Sequence, residues 1–379
     1  MERRQFIRKT AGTAAAMSLA WPREPPAAAR RKLRYLGWQV GLTYQTREPG
    51  GLDRDYMMRL LDDMATNRMN LLSLMMLSYS YFDPEHDGYC WPVRNPKLKH
   101  YWDSNCINGN ESKEFVHEII EAAAARGIEI QLMMNWGIWN TEKIKMGYPS
   151  VLPQQRRDGT SHPCLHCPDS ERAWQAGLDE VEDLLTYYRH PNVTSYAFER
   201  ISYASSGYCY CARTQEIYER ETGSPIFNAD DVQLEEWKKR HISACIKRYV
   251  AHIKSIRPTI AISLHTRCAR GWGHDPARLS DSGIDCLQPH TLHFQESKGQ
   301  IYKKLTYLAP NRCVLHFCTR DRRPANYDLW IKTPEIIAQA LDWVYEYPGD
   351  NLDGILFFNE TATSPRNKQA VYDLIRRFQ

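Results

Sequence analysis

The sequence predicts an α/β protein built as one (β/α)₈ barrel, a TIM barrel, with long loops after strands 2, 3 and 4. Two observations predict it. Eight short apolar runs, the kind a parallel strand buried on both faces requires, alternate with helical patterns along the chain. The chain also closes on a helix, and no G-x-G-x-x-G follows the first run, which disfavours a dinucleotide fold. The expected organisation is a leader over residues 1–29 and a single barrel domain over residues 30–379.

The strands are expected at Arg34–Thr43, Leu71–Ser78, Glu129–Asn135, Thr194–Ile201, Ala261–Arg267, Cys286–His290, Cys313–Cys318 and Gly354–Asn359. The helical patterns fall at Asp53–Arg68, Ser112–Arg126, Glu171–Arg189, Gln233–Ile256, Pro276–Ser282, Gln300–Leu308, Pro334–Tyr345 and Asn367–Phe378. Breakers end several of them: Arg126-Gly127, His190-Pro191, Arg257-Pro258, Ala309-Pro310 and Pro348-Gly349.

The first residues, Arg3-Arg4-Gln5-Phe6-Ile7-Arg8-Lys9, precede a mild apolar stretch from Ala11 to Ala20 and then Ala27-Ala28-Ala29. This resembles a twin-arginine export signal with an Ala-x-Ala cleavage site. The resemblance implies a twin-arginine translocase as partner during export and a periplasmic or secreted destination. The formal charge is +4, and the basic excess is concentrated in the first 34 residues. The remainder is close to balance, which argues against a nucleic-acid surface. No apolar run approaches the roughly 20 residues that cross a bilayer, so no transmembrane segment is expected in the mature chain.

In a barrel, polar residues at the C-terminal ends of strands converge on one mouth, and the long loops there build the site. The strand ends supply Gln45, Asn135, Trp136, Glu199, His265, His290, His316, Asp321 and Glu360. Glu199 ends the apolar run Tyr196-Ala197-Phe198, and Glu360 lies just beyond Leu356-Phe357-Phe358. A carboxylate in such a setting is costly without a partner or a task. Cleavage of a glycosidic bond uses two carboxyl groups. Glu199 is the expected acid/base, with Glu360 as partner and Asp321 in reserve. An ion pair with Arg200, Arg267 or Arg320 is the alternative for either glutamate. Gln45, Tyr79, Asn135, Trp136, His265, His290 and His316 are expected substrate contacts. The loop aromatics Tyr79, Tyr81, Trp91, Tyr101, Trp102, Trp136 and Trp139 serve either as small loop cores or as a rim on which sugar rings stack.

Three stretches give this pattern a relative: Gly37-Trp38, Cys167-Pro168-Asp169-Ser170, and Glu199 followed by Cys209-Tyr210-Cys211 and later Glu221-Thr222-Gly223. Together they resemble the (β/α)₈ glycoside hydrolase superfamily with a strand-4 glutamate. The resemblance implies a glycosidase acting on an oligosaccharide or glycoside. The sequence departs from that pattern at strand 7. The usual second carboxylate is missing from His316-Phe317-Cys318-Thr319, which is why Glu360 is the expected partner. Two other readings remain: a metal-dependent sugar isomerase or epimerase using the strand-end histidines, and a sugar-binding barrel without catalysis.

The chain has 11 cysteines. Cys164, Cys167, Cys209 and Cys211 lie in the loops after strands 3 and 4, which should be neighbours. They could hold a structural zinc, form disulfides, or stay buried thiols. No other cofactor is expected.

Overall fold

The structure, a computed structural model, describes residues 32–42, 53–78, 88–101, 114–205, 207–266, 272–292, 295–321, 331–358 and 360–379. Eight parallel strands close into a barrel: β1 (Tyr35–Gly41), β2 (Leu71–Met75), β3 (Glu129–Asn135), β4 (Val193–Glu199), β5 (Ala261–Thr266), β6 (Cys286–Thr291), β7 (Cys313–Cys318) and β8 (Leu352–Phe358). Each pairs with its neighbours in chain order, and β8 closes on β1. The expected fold class is therefore observed, with strand ends shifted by up to three residues.

The described helices are α1 (Arg54–Thr66), α2 (Phe115–Ala124), α3 (Thr141–Gly147), α4 (Glu171–Tyr187), α5 (Ala212–Thr222), α6 (Asp231–Ile256), α7 (Pro276–Leu279), α8 (Lys298–Leu308), α9 (Pro334–Tyr345) and α10 (Pro365–Ile375). Their starts follow local chemistry. Asp230 and Gln233 form a reciprocal capping box on α6, and Ser297 and Gln300 do the same on α8. Thr333 and Ser364 cap α9 and α10, each followed by a proline whose missing N–H costs nothing in the first turn. The periodic patterns missed α3, embedded in the long loop after β3, while α5 opens after Cys211 and ends at Glu221-Thr222-Gly223, as the resemblance implies.

Strand alternation sorts the side chains. Leu36, Trp38 and Val40 of β1 pack outward in the layer under the helices, where Trp38 meets Phe357 and Tyr372 with ring centroids 5.4 and 6.2 Å apart. The barrel interior is filled separately. Leu71, Val314 and Leu356 form one small apolar cluster and Met75, Met133 and Ala197 another. Polar side chains share the interior: Gln288 donates to Gln131 at 3.3 Å, and Gln131 donates to Ser195 at 3.4 Å. A polar, hydrogen-bonded interior leaves the groups nearer the mouth with polar neighbours.

Two hairpins elaborate the mouth. Leu77–Ser78 pairs with Gly88–Tyr89 after β2, and Pro153–Gln155 pairs with Ser161–His166 after β3. Trp91, Tyr101 and Trp139 are fully buried within these loops. Trp91 donates its indole N–H to Asp183 at 2.8 Å, and Trp139 donates to Glu180 at 3.2 Å. These three therefore serve as loop core. Tyr79, Tyr81 and Trp102 lie outside the described residues, as do Gln45, Arg267 and the leader. Among the described residues, no helix is long and apolar enough to cross a membrane.

Candidate active site

Glu199 is the last residue of β4, 6% exposed, and lies beside Asn135 at the end of β3. Its Oε1 is 3.0 Å from Nε of Arg200 and 3.9 Å from Nε2 of His290. Arg200 sits at φ +80°, a left-handed backbone that a side chain-bearing residue rarely adopts. There the guanidinium is held on two sides, by the Glu199 carboxylate and by the ring of Trp272, 5.0 Å from its Cζ. Such a kink directly after a strand-end carboxylate is the kind of local strain that persists where the surroundings over-determine it.

Three histidines from consecutive strands meet beside this pair. The His265, His290 and His316 rings lie with centroids 4.5 to 5.6 Å apart. Hydrogen bonds order two of them. His316 Nε2 is 2.6 Å from Oε1 of Gln39, a carbonyl oxygen that only accepts, so Nε2 carries the proton. His316 Nδ1 faces His290 Nδ1 at 3.2 Å, one ring donating to the other, and His290 turns its Nε2 toward Glu199. The result is a polar chain, Gln39–His316–His290–Glu199, running from β1 through β7 and β6 to β4. The His265 ring is fully buried, and neither of its nitrogens meets a well-aligned hydrogen-bond partner. Burial pulls its pKa down to about 4, against the attraction of Glu199, so it is neutral at pH 7. Buried Arg320 adds a cation near the cluster. Its Cζ lies 4.5 Å from the Phe358 ring, which itself packs on His316.

Several expected site residues are placed elsewhere. Glu360 is fully buried behind the mouth, between α1 and α10. The Tyr56 hydroxyl donates to its Oε2 at 2.6 Å and the Lys368 ammonium donates to Oε1. Both oxygens are engaged, so the geometry corrects the catalytic expectation toward the structural ion pair, with Lys368 rather than an arginine as partner. Asp321 accepts from the Ser364 backbone N–H at 2.9 Å and from its hydroxyl, anchoring the residue that caps α10. Trp136 is fully buried and packs between Trp139 and Trp174, centroids 5.8 and 5.5 Å away. It contributes its backbone, donating N–H to the Glu199 carbonyl at 2.9 Å, and not a stacking face. The cysteine quartet is a trio: Cys164 packs with Ile138 and Leu165, apart from Cys167, Cys209 and Cys211.

Gln39 and Trp272 were missed by sequence reading. Gln39 was legible in principle, as a lone amide inside the apolar β1 run. Trp272 had no such signal, because it joins the site through a loop contact: Tyr203 donates its backbone N–H to the Trp272 carbonyl at 3.2 Å.

A closed parallel barrel with a carboxylate at the end of β4, beside polar strand-end residues, defines a glycoside hydrolase-like protein. The family is specific: residues 63–286 match the model described as Glycosyl hydrolase-like 10, and the chain belongs to that family. The matched stretch contains Glu199 and His265 and ends before His290. No curated protein sequence matches the chain. Among solved structures, the glycoside hydrolase domain of PgaB (BpsB) from Bordetella bronchiseptica is similar with a TM-score of 0.66 at 13% identity, covering 90% of this chain and 98% of that one. A β-galactosidase from the Antarctic haloarchaeon Halorubrum lacusprofundi gives 0.63 at 12% identity, covering 91% and 58%. A GH20 exo-β-N-acetylglucosaminidase from Vibrio harveyi, in complex with N-acetylglucosamine, gives 0.56 at 11% identity, covering 91% and 53%. The chain thus spans little more than half of the last two, and at these identities the likeness is one of fold.

Proposed function

We propose that this barrel is an exported glycosidase acting on an oligosaccharide or glycoside, with Glu199 as its central carboxylate. The observation that carries the reading is the buried Glu199 at the barrel mouth, between the Arg200 guanidinium and the His290 end of the histidine chain. A guanidinium at this range favours the ionised carboxylate. In this reading Glu199 serves as the base, able to take a proton from water or a sugar hydroxyl. The proton for the leaving oxygen then comes from His290 in its imidazolium form, which points Nδ1–H at His316 and Nε2–H into the same space, and which water reprotonates after each turnover. Asn135, adjacent to Glu199, is positioned to hold a sugar hydroxyl.

Purified mature protein should be screened on aryl glycosides and on plant, algal and N-acetylglucosamine-containing oligosaccharides. On the best substrate, Glu199→Gln should lower turnover roughly 10²–10⁴-fold, the usual worth of positioned proton transfer. Loss on activated and natural substrates alike supports the base role, and sparing of the aryl glycoside would return Glu199 to the acid role. Full activity of the variant on a natural substrate would sink the proposal.

A second reading, a metal-dependent sugar isomerase or epimerase, draws on one observation. Ligand nitrogens of His265, His290 and His316 all lie within 4.8 Å of one another, and Gln39 holds the remote nitrogen of His316 as outer partners of metal-bound histidines do. Sugar isomerisation that is abolished by a chelator and restored by a divalent cation would favour it.

A further inference from the structure

The loops after β3 and β4 meet at a sulfur cluster that the catalytic reading does not use. Cys167 lies just before the Ser170 cap of α4, Cys209 in the loop after β4, and Cys211 at the N-cap of α5. All three are buried, and their sulfurs lie within 4.8 Å of one another, with Cys167 and Cys211 at 3.5 Å. A disulfide needs about 2.05 Å. A tetrahedral zinc with Zn–S near 2.3 Å sets its sulfurs about 3.8 Å apart.

Two backbone N–H groups are aimed at the sulfurs. The Gln155 backbone N–H donates to Cys209 Sγ at 3.2 Å, and the Asp169 N–H donates to Cys167 Sγ at 3.4 Å. The Thr214 hydroxyl spends its one proton on Asp169 Oδ2 at 2.6 Å, so its oxygen, 3.2 and 3.3 Å from Cys211 and Cys167, accepts from their thiols when these are protonated. Asp169 is itself oriented by the Tyr203 hydroxyl at 3.1 Å and by His241 at 2.5 Å, and its Oδ2 is 3.8 Å from Cys167 Sγ. Three soft sulfurs, two of them accepting backbone N–H groups, are the donor set of a structural soft-cation site, with Asp169 as an outer partner.

We infer that Cys167, Cys209 and Cys211 bind a structural zinc ion through their three thiolates. The ion would pin the N-termini of α4 and α5 together, and so hold the loop that follows Glu199. The inference is independent of the glycosidase reading, since neither needs the other.

The test uses the full mature chain purified under reducing conditions without chelator. Elemental analysis should find about one zinc per chain. Replacing it with Co(II) should produce a near-ultraviolet thiolate-to-cobalt charge-transfer band, which histidine and carboxylate ligation does not give. Cys211→Ser should lose both the ion and the band. Cys164→Ser and His290→Asn should keep them, which separates this site from the histidines at the mouth. If Cys211→Ser fails to fold, the wild-type cobalt spectrum and a thiol count still decide. Metal-free wild-type protein with all thiols titratable after unfolding would overturn the inference, as would two thiols missing from the count under non-reducing conditions.

Discussion

Glu360 and Glu199 show how the same residue type at two strand ends takes two fates. Both follow apolar runs, and both are buried. What differs is the partner. Glu360 meets an ammonium and a phenol that saturate its oxygens inside the helix layer. Glu199 meets a guanidinium displaced to one side by the left-handed turn at Arg200, and a histidine end-on. The two glutamates should separate cleanly on substitution. Glu360→Ala leaves Lys368, with a side chain 20% exposed, beside a vacated site. Losing one partner of such a pair costs about 2–3 kcal/mol after allowing for that exposure. Denaturant titration should record this fall while kcat stays within twofold of wild type. A collapse of kcat with unchanged stability would restore Glu360 to the site. Gln39 gives the complementary case. Gln39→Met removes the acceptor that fixes the His316 tautomer without emptying the barrel. It should shift the pH–rate profile more than it shifts KM, and an unchanged profile would show that the histidine chain does not communicate with the reaction.

At the scale of the element, the strand-end geometry depends on how α4 lies against the barrel. Gly177 in α4 exists because Trp136 passes so close: a Cβ there would fall 1.9 Å from the indole Nε1. Trp136 cannot retreat easily, since Trp139 and Trp174 flank it and its own N–H holds the Glu199 carbonyl. Gly177→Ala should therefore destabilise the protein by about 1–3 kcal/mol, the usual cost of overpacking, despite alanine's better helix propensity. A melting temperature equal to or above wild type would mean that α4 slides freely. The same packing explains what the sequence made legible. Apolar runs of the right length reveal buried strands, so the barrel could be read almost to its boundaries. Glu199, Asn135 and the three histidines were legible because strand ends in a barrel converge whatever the loops do. The facing of Trp136, the outward turn of Glu360 and the capping role of Asp321 were not. Each depends on a contact with a helix distant in sequence. The cysteine trio was only partly legible, because hairpin Pro153–Gln155 with Ser161–His166 carries Cys164 away from Cys167 although three positions separate them.

For the whole molecule, two buried titratable groups give stability a pH dependence that can be assigned by difference. Glu180 on α4 is fully buried. Burial pushes its pKa up to about 8, against the lowering effect of the Tyr89 and Trp139 hydrogen bonds. The folded state thus keeps a proton that the unfolded chain releases near its ordinary value of 4.5. Between those limits the folded state binds more protons, so this contribution is full below pH 4.5 and is lost as pH rises toward 8. His274 has the opposite sign. Burial pulls its pKa down from 6.5 to about 4, while its ring bridges Thr266 Oγ1 and the Ile201 carbonyl, each at 3.1 Å, tying β5 to the loop beyond Glu199. The unfolded chain then takes up the proton first, so this contribution is present above pH 6.5 and is lost as pH falls toward 4. Each effect is worth a few kcal/mol at most. Glu180→Gln should flatten the alkaline limb of the stability curve relative to wild type and leave the acid limb alone. His274→Asn should flatten the acid limb and leave the alkaline one. Urea titrations of the three proteins from pH 4.5 to 8.5 make the comparison, with all other groups cancelling between curves. A Glu180→Gln curve parallel to wild type across that range would mean that the carboxyl is ionised in the folded protein, so that its contacts with Tyr89 and Trp139 are those of a stabilised anion.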